Sequence, residues 1–205
     1  ALRFFDGAYR MSDLAPVTQR DVRAHFKSFD RGSKAAQTLL FGVGNLEKIS
    51  IGCRSSTVGK LTPSALYVHV DALEYVPALL KVYEACARRI IGDVPGINIV
   101  KLHRDKKMVS YLSYPDFDTD PHAGLDESWI VDLVAQTVKR RTYRSAPNVP
   151  ILHRKEDFLT STDPRREAFE ALTKREEEAG LYADTSRIGY RNQWEELLRT
   201  STSVE

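Results

Sequence analysis

The chain has 205 residues, with 30 Lys and Arg against 28 Asp and Glu, so its net charge is only +2 at pH 7. A chain of this length buries a core without a metal ion or a disulfide. The composition is 42% hydrophobic and 28% charged, and no apolar run approaches the roughly 20 residues of a membrane span. A membrane protein is therefore excluded, and no membrane partner is expected.

The two cysteines, Cys53 and Cys86, have neither CxxC nor Cys/His ligand spacing. They are predicted to be buried free thiols, which favours a reducing, cytoplasmic location. The chain begins ALRFFDG, without Met and without a signal-peptide pattern, and is expected to be a piece of a longer protein. Phe4, Phe5 and Tyr9 are predicted to form a packing arm at this end.

The first part of the chain has apolar residues at helical spacing. Helices are predicted over 18–30, with Thr18 as N-cap, and over 33–41, 45–56 and 71–91. The last of these carries the broadest apolar stripe and is predicted to be the main core helix, with Pro77 near its first turn. Only the β-rich run 65–70 interrupts the helical pattern.

Two hairpins follow, one from 97–103 and 108–114, the other from 128–134 and 138–143. Residues 151–155 approach a last short strand, and helices are predicted over 164–179, after Asp163-Pro164, and around Trp194. The fold class is therefore α+β, with N-terminal helices, a central antiparallel sheet of four or five strands and C-terminal helices. We expect one domain over 1–205, with a mainly helical half (1–95), a β-rich half (96–160) and a helical tail (161–205).

Basic and aromatic side chains concentrate in and after the first hairpin. The segment from Leu133 to Lys155 holds six Lys and Arg and no acidic residue. Cations bind phosphates and release counterions, and tyrosine rings stack on bases. The residues predicted to bind nucleic acid are Lys101, His103, Arg104, Lys107, Tyr111, Tyr114, Arg140, Arg141, Arg144, His153, Arg154 and Lys155. The alternative is a solvated sheet edge protected by charge.

Aspartates alternate in the loop after the first hairpin. Asp116, Asp118 and Asp120, with Glu127 in the twelfth position, match the carboxylate spacing of a calcium loop, but Pro121 stands where that loop needs Gly. Two of these aspartates with His122 or His153 could instead hold a divalent metal and support phosphodiester hydrolysis. The alternative is a turn whose aspartates cap backbone amides. No catalytic residue is nominated, and no other cofactor is expected.

Several long segments carry a family resemblance. The chain resembles the C-terminal region of the methyltransferase-like family associated with DNA phosphorothioation, from about Leu14 to Leu198, in the strings VGKLTPSALYVHVDAL, LLKVYEACARRIIGDVPG, VKLHRDKKMVSYLSYPDFDTDPHAGL, PILHRKEDFL and FEALTKREEEAGLYADTSRIGYRNQWEELL. The resemblance implies a setting in bacterial DNA modification and defence. It also implies a methyltransferase domain or other DNA-modification protein as partner, since the chain lacks the glycine-rich cofactor turn of such a domain.

Together these features predict a DNA-binding accessory domain. One alternative is a metal-dependent phosphodiesterase, that is, a nuclease, that uses Asp116, Asp118, Asp120 and His122. Another is a structural interaction module for a methyltransferase partner, which an exposed apolar surface in place of a basic one would indicate.

Overall fold

Three helices lead into the sheet in the computed structural model, which describes residues 10–202. They are α1 (Pro16–Phe26), α2 (Phe29–Gly42) and α3 (Leu46–Ser55). Ser28 and Asn45 cap α2 and α3 by accepting the backbone N–H of Arg31 and Lys48. The expected cap at Thr18 is wrong, because α1 already begins at Pro16, whose fixed φ suits the first helical position. The predicted packing arm of Phe4, Phe5 and Tyr9 lies outside the described residues.

The sheet is an antiparallel meander of six strands in the order β1–β6. These strands are β1 (Lys60–Leu61), β2 (Ala65–His69), β3 (Ile99–His103), β4 (Met108–Ser113), β5 (Glu127–Asp132) and β6 (Thr137–Thr142). The α+β class is confirmed, but the sheet has six strands where four or five were expected. The two-residue β1 was not among the predicted strands, and the last short strand predicted near Ile151 forms only an isolated bridge to Gly124.

The short strand β1 depends on Gly59, which has φ of 95°. A Cβ on Gly59 would lie 2.7 Å from the carbonyl oxygen of Tyr67 and 2.7 Å from Cγ2 of Val68, both in β2. Only glycine combines this backbone conformation with so close an approach. Strand β1 can therefore pair with β2 directly after a tight bend, although its two residues give no periodic signal in the sequence.

Helix α4 (Ala78–Ile91) packs on one face of the sheet, after a 3-10 helix at Val70–Tyr75. The single helix predicted from residue 71 is wrong at its start, because Pro77 lacks a backbone N–H and stands at the N-cap of α4. Leu80 and Tyr83 of α4 are fully buried with alternate residues of the strands, which are Leu66, Val68, Val100, Leu102, Val109, Tyr111 and Val131.

The C-terminal segment packs on part of the opposite sheet face. It contains a 3-10 helix at Lys155–Phe158, α5 (Arg166–Glu178), a 3-10 helix at Thr185–Arg187 and α6 (Arg191–Thr202). A second core cluster here joins Ile99 and Leu112 of the sheet to Phe117, Leu152 and other buried apolar residues. The remaining part of this face, towards β6, stays open to solvent. None of the helices in the described range 10–202 is long and apolar enough to cross a membrane.

Candidate nucleic-acid interface

The open part of the sheet forms a groove with a volume of about 700 Å³. Because side chains alternate between the two faces of a strand, every second residue of β3 to β6 points into this groove. The polar and aromatic residues that line it are Tyr67, Lys101, His103, Lys106, Ser110, Tyr114, Ser128, Asp132, Thr137, Lys139, Arg141, Tyr143 and Tyr190.

The strand register places cations on both sides of the groove. Lys101 of β3 pairs with Ser110 of β4, Ser110 with Ile130 of β5, and Ile130 with Lys139 of β6. Lys101 and Lys139 are therefore three strand spacings apart, which is about 14 Å. Arg141 follows Lys139 on the same face of β6, so the floor between the cations consists of small and apolar side chains.

The four cations of the groove are not neutralised by the protein. Lys101, Lys106, Lys139 and Arg141 have no carboxylate oxygen within 4.0 Å among residues 10–202, whereas most arginines nearby form ion pairs. Asp132 is the acidic residue of the lining, and its Oδ1 accepts the N–H groups of the turn at 2.8 and 3.0 Å. The groove consequently has a positive potential that an anionic ligand can neutralise.

His103 lies at the β3 side of the groove and is buried. Its Nε2 is 3.0 Å from Oγ of Ser110, and its Nδ1 has no hydrogen-bond partner within the described part of the chain. Burial, reinforced by the charges of Lys101 and Lys106, lowers the pKa of His103 to about 4, so the ring is neutral at physiological pH. Oδ1 of Asp105 is 4.0 Å from Nδ1, too far to orient the ring as a catalytic triad requires.

The groove unites four of the twelve residues predicted to bind nucleic acid, which are Lys101, His103, Tyr114 and Arg141. Strand alternation in 65–69 would have indicated Tyr67, which shares a face with Lys101 through direct pairing. Tyr190 carried no signal in the sequence, because it reaches the groove only through a bridge to Pro150, which is distant in the chain.

Four predicted residues lie outside the groove, on the first or second hairpin. Arg104 binds Oγ of Ser50 at 3.0 Å and the Thr62 carbonyl at 2.8 Å, and thus ties β3 to α3. Arg140 binds Glu127 at 2.6 Å on the opposite sheet face, and Arg144 binds both carboxylate oxygens of Asp126, at 2.6 and 2.7 Å. Lys107 is half-buried in the β3–β4 turn.

Tyr111 and Lys155 are buried, in contrast to the exposed positions expected for them. Tyr111 is 0% exposed on the helix side of the sheet, where its hydroxyl donates to Glu84 of α4 at 3.0 Å. Lys155 is 2% exposed, and its Nζ donates to the carbonyls of Phe117 and Asp120. Both side chains support the packing of the domain, so neither presents a free surface to a ligand.

His153 and Arg154 belong to a buried aromatic and polar cluster under α5 and α6. The His153 ring lies 4.5 Å from the rings of His122 and Trp194, and Arg154 pairs with Glu177 at 2.7 Å. Burial, followed by the nearby His122, lowers the pKa of His153 to about 4. The second L-H-R sequence therefore contributes to the core, whereas His103 of the first lines the groove.

In the same cluster, both ring nitrogens of His122 face acceptors. Nε2 is 2.7 Å from Oε1 of Glu176, and Nδ1 is 3.1 Å from the carbonyl of Leu152. Burial favours the neutral form of Glu176, but hydrogen bonds from His122 and Tyr182 outweigh it and lower the pKa of this carboxyl. Glu176 is thus ionised, and its Oε2 also accepts the hydroxyl of Tyr182 at 2.7 Å.

Three of the four residues proposed for a metal, Asp118, Asp120 and His122, have side chains that bind other groups of the protein. Asp118 binds Arg165 at 3.2 Å, and Asp120 binds Arg191 at 2.8 Å while accepting the backbone N–H of His122. The backbone carbonyl of Asp116 closes the turn by accepting the N–H of Asp120 at 2.9 Å. Within the described range, no group of three His, Cys, Asp or Glu side chains is arranged to hold an ion. The divalent-metal site stays a prediction.

Comparisons of the chain with protein-family models, curated proteins and solved structures gave no match. The resemblance to the phosphorothioation-associated family therefore stays a prediction from the sequence. The properties of the site rest on the geometry of the groove alone.

Proposed function

We propose that the chain is a nucleic-acid-binding accessory domain and that it holds DNA in the groove. The observation that supports this function is a set of four cations, Lys101, Lys106, Lys139 and Arg141, that line the groove without a carboxylate partner among residues 10–202. Phosphates give such cations the counter-charge that the protein lacks there. DNA is chosen over RNA because the family resemblance of the sequence implies DNA modification.

The location of the groove also favours a long ligand over a small molecule. The groove lies across open strands, and its β6 side carries exposed side chains from Thr137 to Arg141. A pocket for a small ligand usually encloses most of that ligand's surface. An open trough with cations on both sides instead suits a chain of repeated negative charges that enters and leaves at its ends.

The test is fluorescence anisotropy of a labelled oligonucleotide, titrated with the protein across a salt series. If all four cations contact phosphates, log K should fall with log[salt] with a slope of about −3 for a single strand. The double variant Lys139→Ala, Arg141→Ala should weaken binding and make the slope smaller by roughly 1.4. Arg141→Ala alone is also compared with Arg140→Ala, its matched control, which removes one positive charge from the opposite face of the sheet.

Two results would overturn the proposal. One is the absence of binding at low salt, where electrostatic affinity is greatest. The other is an equal loss of affinity in the groove variant and in Arg140→Ala, which would place the contact outside the groove.

A further inference from the structure

We infer that the groove binds single-stranded DNA in preference to duplex DNA, an inference that rests on the proposed function. Three tyrosines that are not buried accompany the cations along the lining, namely Tyr67, Tyr143 and Tyr190, whereas Tyr114 is 5% exposed and belongs to the second core cluster. Rings of this kind stack on bases whose faces are free, as in a single strand. In a duplex each base face is already covered by the next base pair, so that tyrosines contribute little.

The most accessible of these rings is Tyr190. It is 49% exposed, and an isolated bridge between Tyr190 and Pro150 fixes its backbone at the edge of the groove. Tyr143 lies two residues beyond Arg141 on the same face of the second hairpin and also lines the groove. This end of the groove therefore offers aromatic surface next to the positive charge of Arg141.

The opposite side of the groove combines the same two chemistries. Nζ of Lys101 lies 4.9 Å from the centre of the Tyr67 ring, with which Lys101 is paired in the sheet. A nucleotide at this position meets a cation for its phosphate and a ring for its base within one side-chain length. Such alternation of charge and aromatic surface is typical of folds that bind a single strand without strict sequence preference.

The experiment compares one labelled strand of about 12 nucleotides, a common site size, with the duplex formed from it and its complement. Wild-type protein should bind the single strand about ten-fold more tightly than the duplex at equal salt. Tyr190→Ala should weaken single-strand binding about five-fold or more, the effect of losing one stacked base. Tyr75→Ala is the matched control, because Tyr75 is 56% exposed and does not line the groove.

The outcomes separate this inference from the proposed function. Equal affinity for both forms, with loss in the Lys139→Ala, Arg141→Ala variant, would overturn the preference for a single strand and leave DNA binding intact. No binding to either form would overturn both. An unchanged single-strand affinity in Tyr190→Ala would show that Tyr190 does not stack on a base, and it would overturn the stated cause of the preference. An RNA strand of the same sequence serves as a further arm, and tighter binding of RNA would overturn the choice of DNA.

Discussion

Arg140 and Arg141 are neighbours in the chain but lie on opposite faces of the sheet. Arg141 lines the groove without a carboxylate partner, whereas the Arg140 guanidinium binds Glu127 at 2.6 Å and lies 5.6 Å from the Trp129 ring. Two adjacent residues of the same type therefore have different roles. Arg141 is available to a ligand, and Arg140 neutralises a buried carboxylate.

Substituting the two arginines one at a time should have opposite effects. Arg141→Ala is expected to weaken DNA binding and to leave the free energy of unfolding unchanged. Arg140→Ala should leave binding unchanged and destabilise the protein by about 1 kcal/mol, because Glu127 loses its partner. Anisotropy titrations and urea unfolding of both variants measure the two effects. Equal behaviour of the variants in both assays would contradict the different placement of the two side chains.

Tyr83 connects α4 to the turn of the first hairpin. Its buried hydroxyl shares its one proton between the carbonyl oxygens of Met108, at 2.8 Å, and of Lys106, at 3.0 Å. Tyr83→Phe removes this donor but keeps the ring in the core. The free energy of unfolding should therefore decrease by about 1–2 kcal/mol. Chemical denaturation gives this value, and Tyr75→Phe at an exposed position is the control. A stability equal to wild type would show that the hydroxyl is not needed there.

Removing the Lys155 side chain should lower the stability of the protein without changing its affinity for DNA. Its buried Nζ donates to two carbonyls and lies 4.0 Å from the centre of the Phe169 ring. Lys155→Ala leaves both carbonyls without their donor and opens a space next to the ring, which should cost about 2–4 kcal/mol of stability. DNA affinity, measured at a temperature where the variant remains folded, should stay at the wild-type value. If the variant instead had normal stability and lost DNA binding, Lys155 would be shown to contact DNA.

The stability of the domain should fall as the pH decreases from about 6.5 to about 4. Burial lowers the pKa of both His103 and His153 from 6.5 to about 4, so in this window the unfolded chain binds more protons than the folded chain. Glu176 and Asp163, whose pKa values are also lowered, act in the same direction at lower pH. Urea unfolding at several pH values within the window measures the slope.

The variant His103→Gln measures how much His103 contributes to this pH dependence of stability. It removes one titrating group, so the slope of unfolding free energy against pH should decrease between about 4 and 6.5. Gln keeps a polar group near Ser110 and does not titrate, which makes it a close substitute. A slope that is the same in the variant and in wild type would show that His103 remains accessible to protons in the folded chain.

Local patterns predicted most elements of this fold. The helix expected over 45–56 forms as Leu46–Ser55, with Asn45 as its cap, and both predicted hairpins form with the expected pairing of strands. Such elements depend on periodicity and on caps, which are properties of short segments. Strand β1 was missed because two residues have no period, and its pairing depends on the close approach that Gly59 permits.

The candidate site was only partly predictable, for a different reason. The sequence shows that residues 139–141 are basic, but it does not show which face of their strand meets a ligand. All six residues of β6 are exposed, so no apolar alternation marks one face as buried. Register with β5 and the position of α4 decide that Lys139 and Arg141 share the groove while Arg140 does not. Likewise, His153 meets His122 and Trp194 only because separate parts of the chain pack together.

The sequence by itself thus determined the α+β class, the hairpins and the local density of basic and aromatic residues, since these follow from neighbours along the chain. Only the tertiary structure decided which charges remain unpaired. An ion pair such as Arg191 with Asp120 joins residues far apart in sequence, and it removes both charges from the surface that a ligand would meet. Lys101, Lys139 and Arg141 retain theirs because the fold places no carboxylate oxygen of the described range within 4.0 Å of them.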